Sequence, residues 1–306
     1  MSHIAVFFDE PDFQDDPFDE PVWRMVYHEL GAELAARGGQ CSIVRTPESY
    51  RGGMTFGGGW LFKNGAFHRT EDRIEADLVY NKGTTLKLDD GARVINQPGL
   101  DAICANKRRM FELFPSLFPP TFPVTNKEEL LSAVEHIPTQ MVVLKPEDGF
   151  GGEGVRIVAK DQAMEEAHGY PLIAQAFIDT SGGIPGLTDT LHDFRMIIAD
   201  GDILLACLRT PPDGSLLSNT ALGGSIRAVR HALRPKEAER FVSIVDQTLK
   251  QFGHRLYSID CCRDKSGKWY VLELNDQPGL MTRAECGEDA DRFYGAIAGF
   301  FLSAAA

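Results

Sequence analysis

The apolar positions of this chain change period several times, and the changes mark out its elements. The run IAVFF at 4–8 is continuously apolar, the pattern of a strand buried on both faces. Over 22–37, Trp23, Met25, Val26, Leu30 and Leu34 return at helical spacing, and Gly38 and Gly39 stop the pattern. Short runs at 41–45, 76–80 and 92–96 predict further strands. A strand–helix–strand opening of this kind predicts a small α/β domain ending near residue 105.

From Asn106 the pattern predicts a helix over 106–114. Pro115, Pro119, Pro120 and Pro123 then break the chain before a second helix over 127–135. The segments 141–145 and 155–158 read as a hairpin joined by a glycine loop, followed by a short helix at 162–167 and a strand at 172–177. Next, 192–199 and 203–209 flank Asp200 and Gly201, a strong tight-turn signal. A long helix over 235–252 precedes a last hairpin, 256–262 with 269–274. The expected division is an N-terminal α/β domain at 1–105, a central segment with the glycine loop at 106–178, and a third at 179–306. The fold class is α/β with α+β character.

Composition narrows the picture. The chain has 306 residues, enough for two or three packed units, and its 43% hydrophobic and 25% charged residues fit a soluble globular protein. A formal net charge of -13 argues against a nucleic-acid surface, which needs clustered Lys and Arg. The cysteines at 41, 104, 207, 261, 262 and 286 form no C-x-x-C pair, so they read as reduced, mostly buried small hydrophobes and not as a zinc site. The opening MSHIAVFFDE lacks a basic segment before its apolar run and reads as a strand, not a signal peptide. No apolar stretch approaches membrane length, and the expected location is the cytoplasm.

Two features carry chemistry. The loop GFGGEG at 149–154 joins one strand to another, whereas a Rossmann loop runs into a helix, and it lacks the Gly-Lys-Ser/Thr of a P-loop. It reads either as a flexible flap whose N–H groups fold onto phosphates, with Lys145 just before it, or as a plain hairpin turn beside a solvated lysine. In the last hairpin, Glu273 and Asn275 are two apart and share a face, with Leu272 and Leu274 on the other. A two-residue turn near Ser266 and Gly267 would set Asp260 opposite residue 273, a four-residue loop opposite 271. Both registers bring the two acids out on one face. Such acids repel. A hard divalent cation removes that cost, and two carboxylates with an amide oxygen suit Mg²⁺.

In order along the chain, these pieces resemble the ATP-grasp superfamily, in the branch of bacterial glutathione synthetase and the ribosomal-protein glutamate ligases. Lys107 in ANKRRMFELF resembles the first nucleotide lysine; Lys145 in VVLKP and the flap with Gly149, Gly151 and Gly152 resemble the second lysine and the phosphate-covering loop. LIAQAFID resembles the linker that holds adenine, through backbone groups and an apolar wall at Gln175, Ala176 and Phe177. HDFRMIIADG resembles the D-x-R strand, implying Asp193 near the ribose and Arg195 near the transferring phosphate or substrate. Arg209 matches an arginine that clamps the acyl phosphate. SNTALGG implies that Asn219, Gly223 and Gly224 form a substrate rim, while Leu217 stands where glutamate ligases carry arginine. Asp260, Glu273 and Asn275 coincide with the family's magnesium ligands. The resemblance covers about 92–282.

The resemblance implies an enzyme using ATP and Mg²⁺, with Mn²⁺ a substitute, to turn a carboxylate into an acyl phosphate and pass it to an amine. Arg195 and Arg209 would be the catalytic residues. The partners implied are amino acids or small peptides, with no nucleic acid or membrane, and relatives are often homo-oligomers. An ATP-grasp kinase and an idle nucleotide-binding protein are the alternatives. The acidic loop over 9–20 follows the first strand's carboxyl end, a usual ligand position in α/β sheets.

Overall fold

The computed structural model describes residues 1–306 except 12–15, 150–151, 217 and 219–222. The chain groups into two compact units, one made of Met1–Gln97, Phe252–Leu256 and Gln277–Ala306, the other of Pro98–Gln251 and Tyr257–Asp276. Residues 252–256 and 277–306, which the sequence segments place at 179–306, thus group with the first unit.

In the first unit the strands are β1 (His3–Phe8), β2 (Gln40–Arg45), β3 (Tyr50–Gly52), β4 (Thr55–Phe56), β5 (Gly59–Lys63), β6 (Ala66–Thr70), β7 (Ile74–Glu75), β8 (Leu78–Asn81) and β9 (Val94–Ile95). The main sheet has the order β6-β5-β2-β1-β8-β9, with β1 parallel to β2 and to β8. Ile4, Ala5, Val6 and Phe7 are fully buried, which explains why the run shows no alternation. The helix Pro21–Ala36 buries Val26, Tyr27, Leu30 and Leu34 and packs on the helix Ala290–Ala305. The small sheet β3-β4-β7 lies in a stretch where the pattern predicts nothing. Its strands of two or three residues are too short to display a period.

The second unit contains β10 (Thr121–Val124), β11 (Met141–Pro146), β12 (Arg156–Ala159), β13 (Leu172–Ala176), β14 (Asp193–Ala199), β15 (Asp202–Thr210), β16 (Ser225–Ala228), β17 (Leu256–Arg263, all but its first residue) and β18 (Trp269–Asn275). One sheet runs β10-β13-β11-β12 with antiparallel pairing throughout. Pro123 lies in β10, an edge strand, where a missing N–H is tolerated. The proline-rich segment therefore ends in a strand that the sequence reading treats only as a break. The other sheet runs β16-β15-β14-β17-β18. Ala199 pairs with Asp202 across Asp200 (φ 49°) and Gly201 (φ 90°), the two-residue turn that Asp-Gly favours.

The last hairpin uses neither expected turn, yet it sets Asp260 opposite Glu273 as the two-residue turn would. Arg263 pairs with Trp269, Cys262 with Tyr270 and Cys261 with Val271; then the register shifts, and Asp260 stands opposite Glu273. The extra residue is Leu272. A bulge thus supplies the direct pairing, and it also turns Leu272 out of the alternation that would put it beside Leu274.

Near this hairpin, Asp101 on the helix Pro98–Cys104 and Asp276 just after β18 form a close acid pair. Burial first, then the neighbouring Asp276 charge and hydrogen bond, push Asp101 from the usual 3.8 to about 8. A raised carboxyl pKa adds stability below the unfolded value, and that stability is lost as pH rises toward the folded one. Stability should accordingly fall between pH 5 and 8, by on the order of 2 kcal/mol. Asp276→Asn removes the like charge and should flatten this dependence. Urea midpoints at the two pH values check it, and equal slopes in parent and variant would sink the idea.

Candidate active site

The side chains with chemistry sit where strand alternation delivers them. Asp193 and Arg195 are two apart on β14 and share a face, and Asp193 pairs directly with Arg209 on β15. Asp260 faces them from β17, the next strand in the sheet. Arg195 holds Asp260 with a fork, Nε to Oδ1 at 2.6 Å and Nη2 to Oδ2 at 2.7 Å. Arg209 bridges the acids, its Nε donating to Asp193 Oδ1 at 2.6 Å and its Nη2 to Asp260 Oδ2 at 2.5 Å. The result is a chain of alternating charges.

Its members titrate differently. Burial acts to raise Asp260, but the two arginines beside it prevail and hold it at about 2. Asp193 is buried too, and Arg209 offsets that only in part while the Asp260 charge adds to it, so Asp193 rises to about 6. Glu273 is raised by burial first and then by Asp260, against the pull of Lys145 and Lys107. Among the described residues Glu273 makes no side-chain hydrogen bond.

These groups share a cavity of about 280 Å³ within the second unit. Asp193, Arg195, Arg209, Asp260, Glu273 and Asn275 line one part of it. Val143, Ile157, Phe177, Ile178 and Leu272 form apolar walls. Lys145, Gln175, Ala176 and Gly152 also line it. Lys145 donates to Gln175 Oε1 at 2.9 Å, and burial lowers its pKa while Glu273 raises it. Lys107 reaches the glycine loop, donating to the Gly149 carbonyl at 2.6 Å, and senses Glu273. Gly149 (φ 118°) and Gly152 (φ 80°) hold backbone conformations that favour glycine. Gly151 and Asn219 lie outside the described residues. Gly223 and Gly224 are not among the cavity-lining residues, whereas Leu216 and Ser218 are.

Three placements go beyond the sequence reading. Leu272 reaches the cavity because of the bulge, which no local pattern announces. Gln175 acts here through its side chain, while the N–H groups of Ala176 and Phe177 donate to the carbonyls of Pro120 and Met141. His192 lines the cavity, with Nδ1 near the Thr190 carbonyl at 3.0 Å and Nε2 accepting the Arg263 N–H at 3.4 Å. Those contacts fix a neutral tautomer, and burial first lowers its pKa.

Among the described residues no three side chains of His, Cys, Asp and Glu gather closely enough to hold a metal. Two carboxylates and an amide oxygen nevertheless open on one cavity, and Glu273 is half-buried with no side-chain hydrogen bond among the described residues. That fits Mg²⁺, which keeps several positions for water or phosphate oxygens. Arg195 and Arg209 occupy both Asp260 oxygens, so Asp260 would reach a cation only where those contacts give way.

Two antiparallel sheets flanking a charged cavity, one of them carrying a glycine hairpin, follow an N-terminal α/β unit; this is the two-lobed ATP-grasp fold. Residues 107–272 match the family described as prokaryotic glutathione synthetase, ATP-grasp domain, and the chain belongs to that family. A glutathione synthetase of Rhodopseudomonas palustris is 30% identical over 204 residues, 65% of this chain and 61% of that one. One from Gloeobacter violaceus is 27% identical over 192 residues, 60% of this chain and 53% of that one. The chain thus spans little more than half the length of these relatives. The structure of a Chryseobacterium gregarium RiPP-associated ATP-grasp ligase, in complex with ADP and a leader and core peptide, superposes with a TM-score of 0.65 at 13% identity. It covers 99% of this chain and 97% of that one. At that identity the likeness is one of fold. Among the described residues no helix is long and apolar enough to cross a membrane.

Proposed function

We propose that this protein is an ATP- and Mg²⁺-dependent carboxylate–amine ligase, ADP-forming, acting on an amino acid or small peptide. The observation that carries the reading is the single cavity in which Asp260, Glu273 and Asn275 open beside Lys145, Arg195 and Arg209. Asp260, Glu273 and Asn275 would hold Mg²⁺, which when bound neutralises charge on the phosphates. Lys145 and Lys107, with the glycine loop, bind the triphosphate. Val143, Ile157, Phe177 and Leu272 receive the base.

A substrate carboxylate oxygen attacks the γ-phosphorus, the bond to the leaving β-phosphate oxygen breaks, and ADP departs. Arg195 and Arg209 stabilise the charge on the transferring group. The acyl phosphate then meets an amine, whose nitrogen bonds to the carbonyl carbon as phosphate leaves and the amine loses a proton. Closure of the glycine hairpin excludes the water that would hydrolyse this intermediate. No side-chain nucleophile is required. Within the superfamily, we place the chain in the branch of glutathione synthetases and glutamate ligases, on the family match and the glutathione synthetase relatives.

Incubation with ATP, Mg²⁺ and pools of amino acids and short peptides tests this. ADP release should accompany a product whose mass equals two substrates less one water. A substrate that gains phosphate and stays unjoined identifies a kinase and overturns the ligase reading.

A further inference from the structure

Gln175 has its amide orientation imposed on it. The Thr121 hydroxyl, buried at the start of β10, donates its one proton to the Pro119 carbonyl at 2.6 Å. Its oxygen is left as an acceptor only. Gln175 must therefore turn its NH₂ toward Thr121, and Nε2 does lie 2.7 Å from that oxygen. The flipped amide would set two acceptors face to face in a buried space and aim NH₂ at the Lys145 ammonium. In the observed orientation Oε1 faces the cavity and accepts from Lys145 Nζ at 2.9 Å.

Sheet register makes the relay rigid. Thr121 pairs with Gln175 across β10 and β13, and Gln175 pairs with Val143 on β11, two residues before Lys145. Both Thr121 and Gln175 are buried, at 7% and 3% exposure, so neither has water as a substitute partner. A lysine has many rotamers, and fixing its head group beforehand removes an entropy cost from ligand binding.

We propose that Thr121 is a positioning residue for nucleotide binding, acting through Gln175 to hold the Lys145 ammonium in place. The proposal rests on the reading of the cavity as an ATP site. Burial disfavours the lysine's charge and Glu273 opposes that, while the Gln175 oxygen fixes the ammonium where a triphosphate needs a cation.

The test uses Thr121→Val, which keeps shape and deletes the hydroxyl, with Thr121→Ser as the rescue. Gln175→Met and the double variant Thr121→Val/Gln175→Met complete a cycle. Thr121→Val should raise the KM for ATP and the Kd for ADP roughly tenfold with much less effect on kcat, and Thr121→Ser should stay within about twofold of the parent. The double variant should bind no worse than Gln175→Met alone, because the two residues act in series. Unchanged binding in Thr121→Val overturns the proposal, as does equal weakening in Thr121→Ser or multiplying effects in the double variant. If Thr121→Val fails to fold, Thr121→Ala, which also deletes the hydroxyl, takes its place, with the same weakening expected and parental binding overturning the proposal. Lys145→Ala separates the two levels of argument. When it loses ADP and Thr121→Val does not, the relay alone fails; when the parent itself binds no ADP, the ATP-site reading fails and the relay with it.

Discussion

Glu273→Gln should abolish ligase turnover, by roughly 10³-fold or more, and leave the protein as stable as the parent or slightly more so. The two effects have one cause. Glu273 stands half-buried opposite Asp260 and has no side-chain hydrogen-bond partner among the described residues, so desolvation and the Asp260 charge disfavour its ionised form in the folded chain and its pKa is raised. A raised carboxyl pKa means stability present below the unfolded value and lost as pH rises through the folded one. At neutral pH the charge is a cost to folding, and the neutral amide removes it. The same charge is what a divalent cation between two carboxylates requires, and Gln offers a far weaker ligand. ADP release and the thermal midpoint measure the two effects. Near-parental ADP release would remove Glu273 from the metal set, and a lower midpoint would show that its charge supports the fold.

Much of this site is legible in the sequence because it rests on strand alternation. Asp193 with Arg195, and Glu273 with Asn275, are each two residues apart, and that spacing alone puts each pair on one face. The Asp200–Gly201 turn is legible too, but by itself it would set Asp193 opposite Leu208; a bulge at Leu204, which no residue type marks, brings Asp193 against Arg209. What the pattern does not carry are departures from regular pairing and choices between partners. The bulge at Leu272 depends on how β18 meets β17, and no residue type marks it. The engagement of Asp260 by two arginines is a tertiary fact, since Arg195 and Arg209 are 65 and 51 residues away in sequence. From the sequence alone only a cation relieves the acid pair; in the structure Arg195 and Arg209 already neutralise Asp260. The short strands around β3, β4 and β7, and Pro123 on an edge strand, fall below what periodicity resolves.

Arg209→Leu should be the most destabilising single change at the site, by about 3 kcal/mol, because it strands buried charge and does not merely delete a contact. Arg209 is 5% exposed and is the bridge between Asp193 and Asp260. Without it Asp260 keeps the Arg195 fork, whereas Asp193 loses the guanidinium that limits its rise to about 6. Asp193 should then protonate near or above neutrality. The deficit therefore grows from pH 5 to pH 8, as the stranded carboxylate is forced to ionise. Arg209→Leu/Asp193→Asn should recover most of the stability and none of the turnover. Arg209→Lys keeps the charge but loses the two-pronged geometry, so it should fold well and turn over roughly 10²-fold more slowly. Urea midpoints at the two pH values, set beside ADP release, test each step. A deficit that shrinks toward pH 8, or a double variant no more stable than Arg209→Leu, would show that Asp193 is not the group Arg209 restrains.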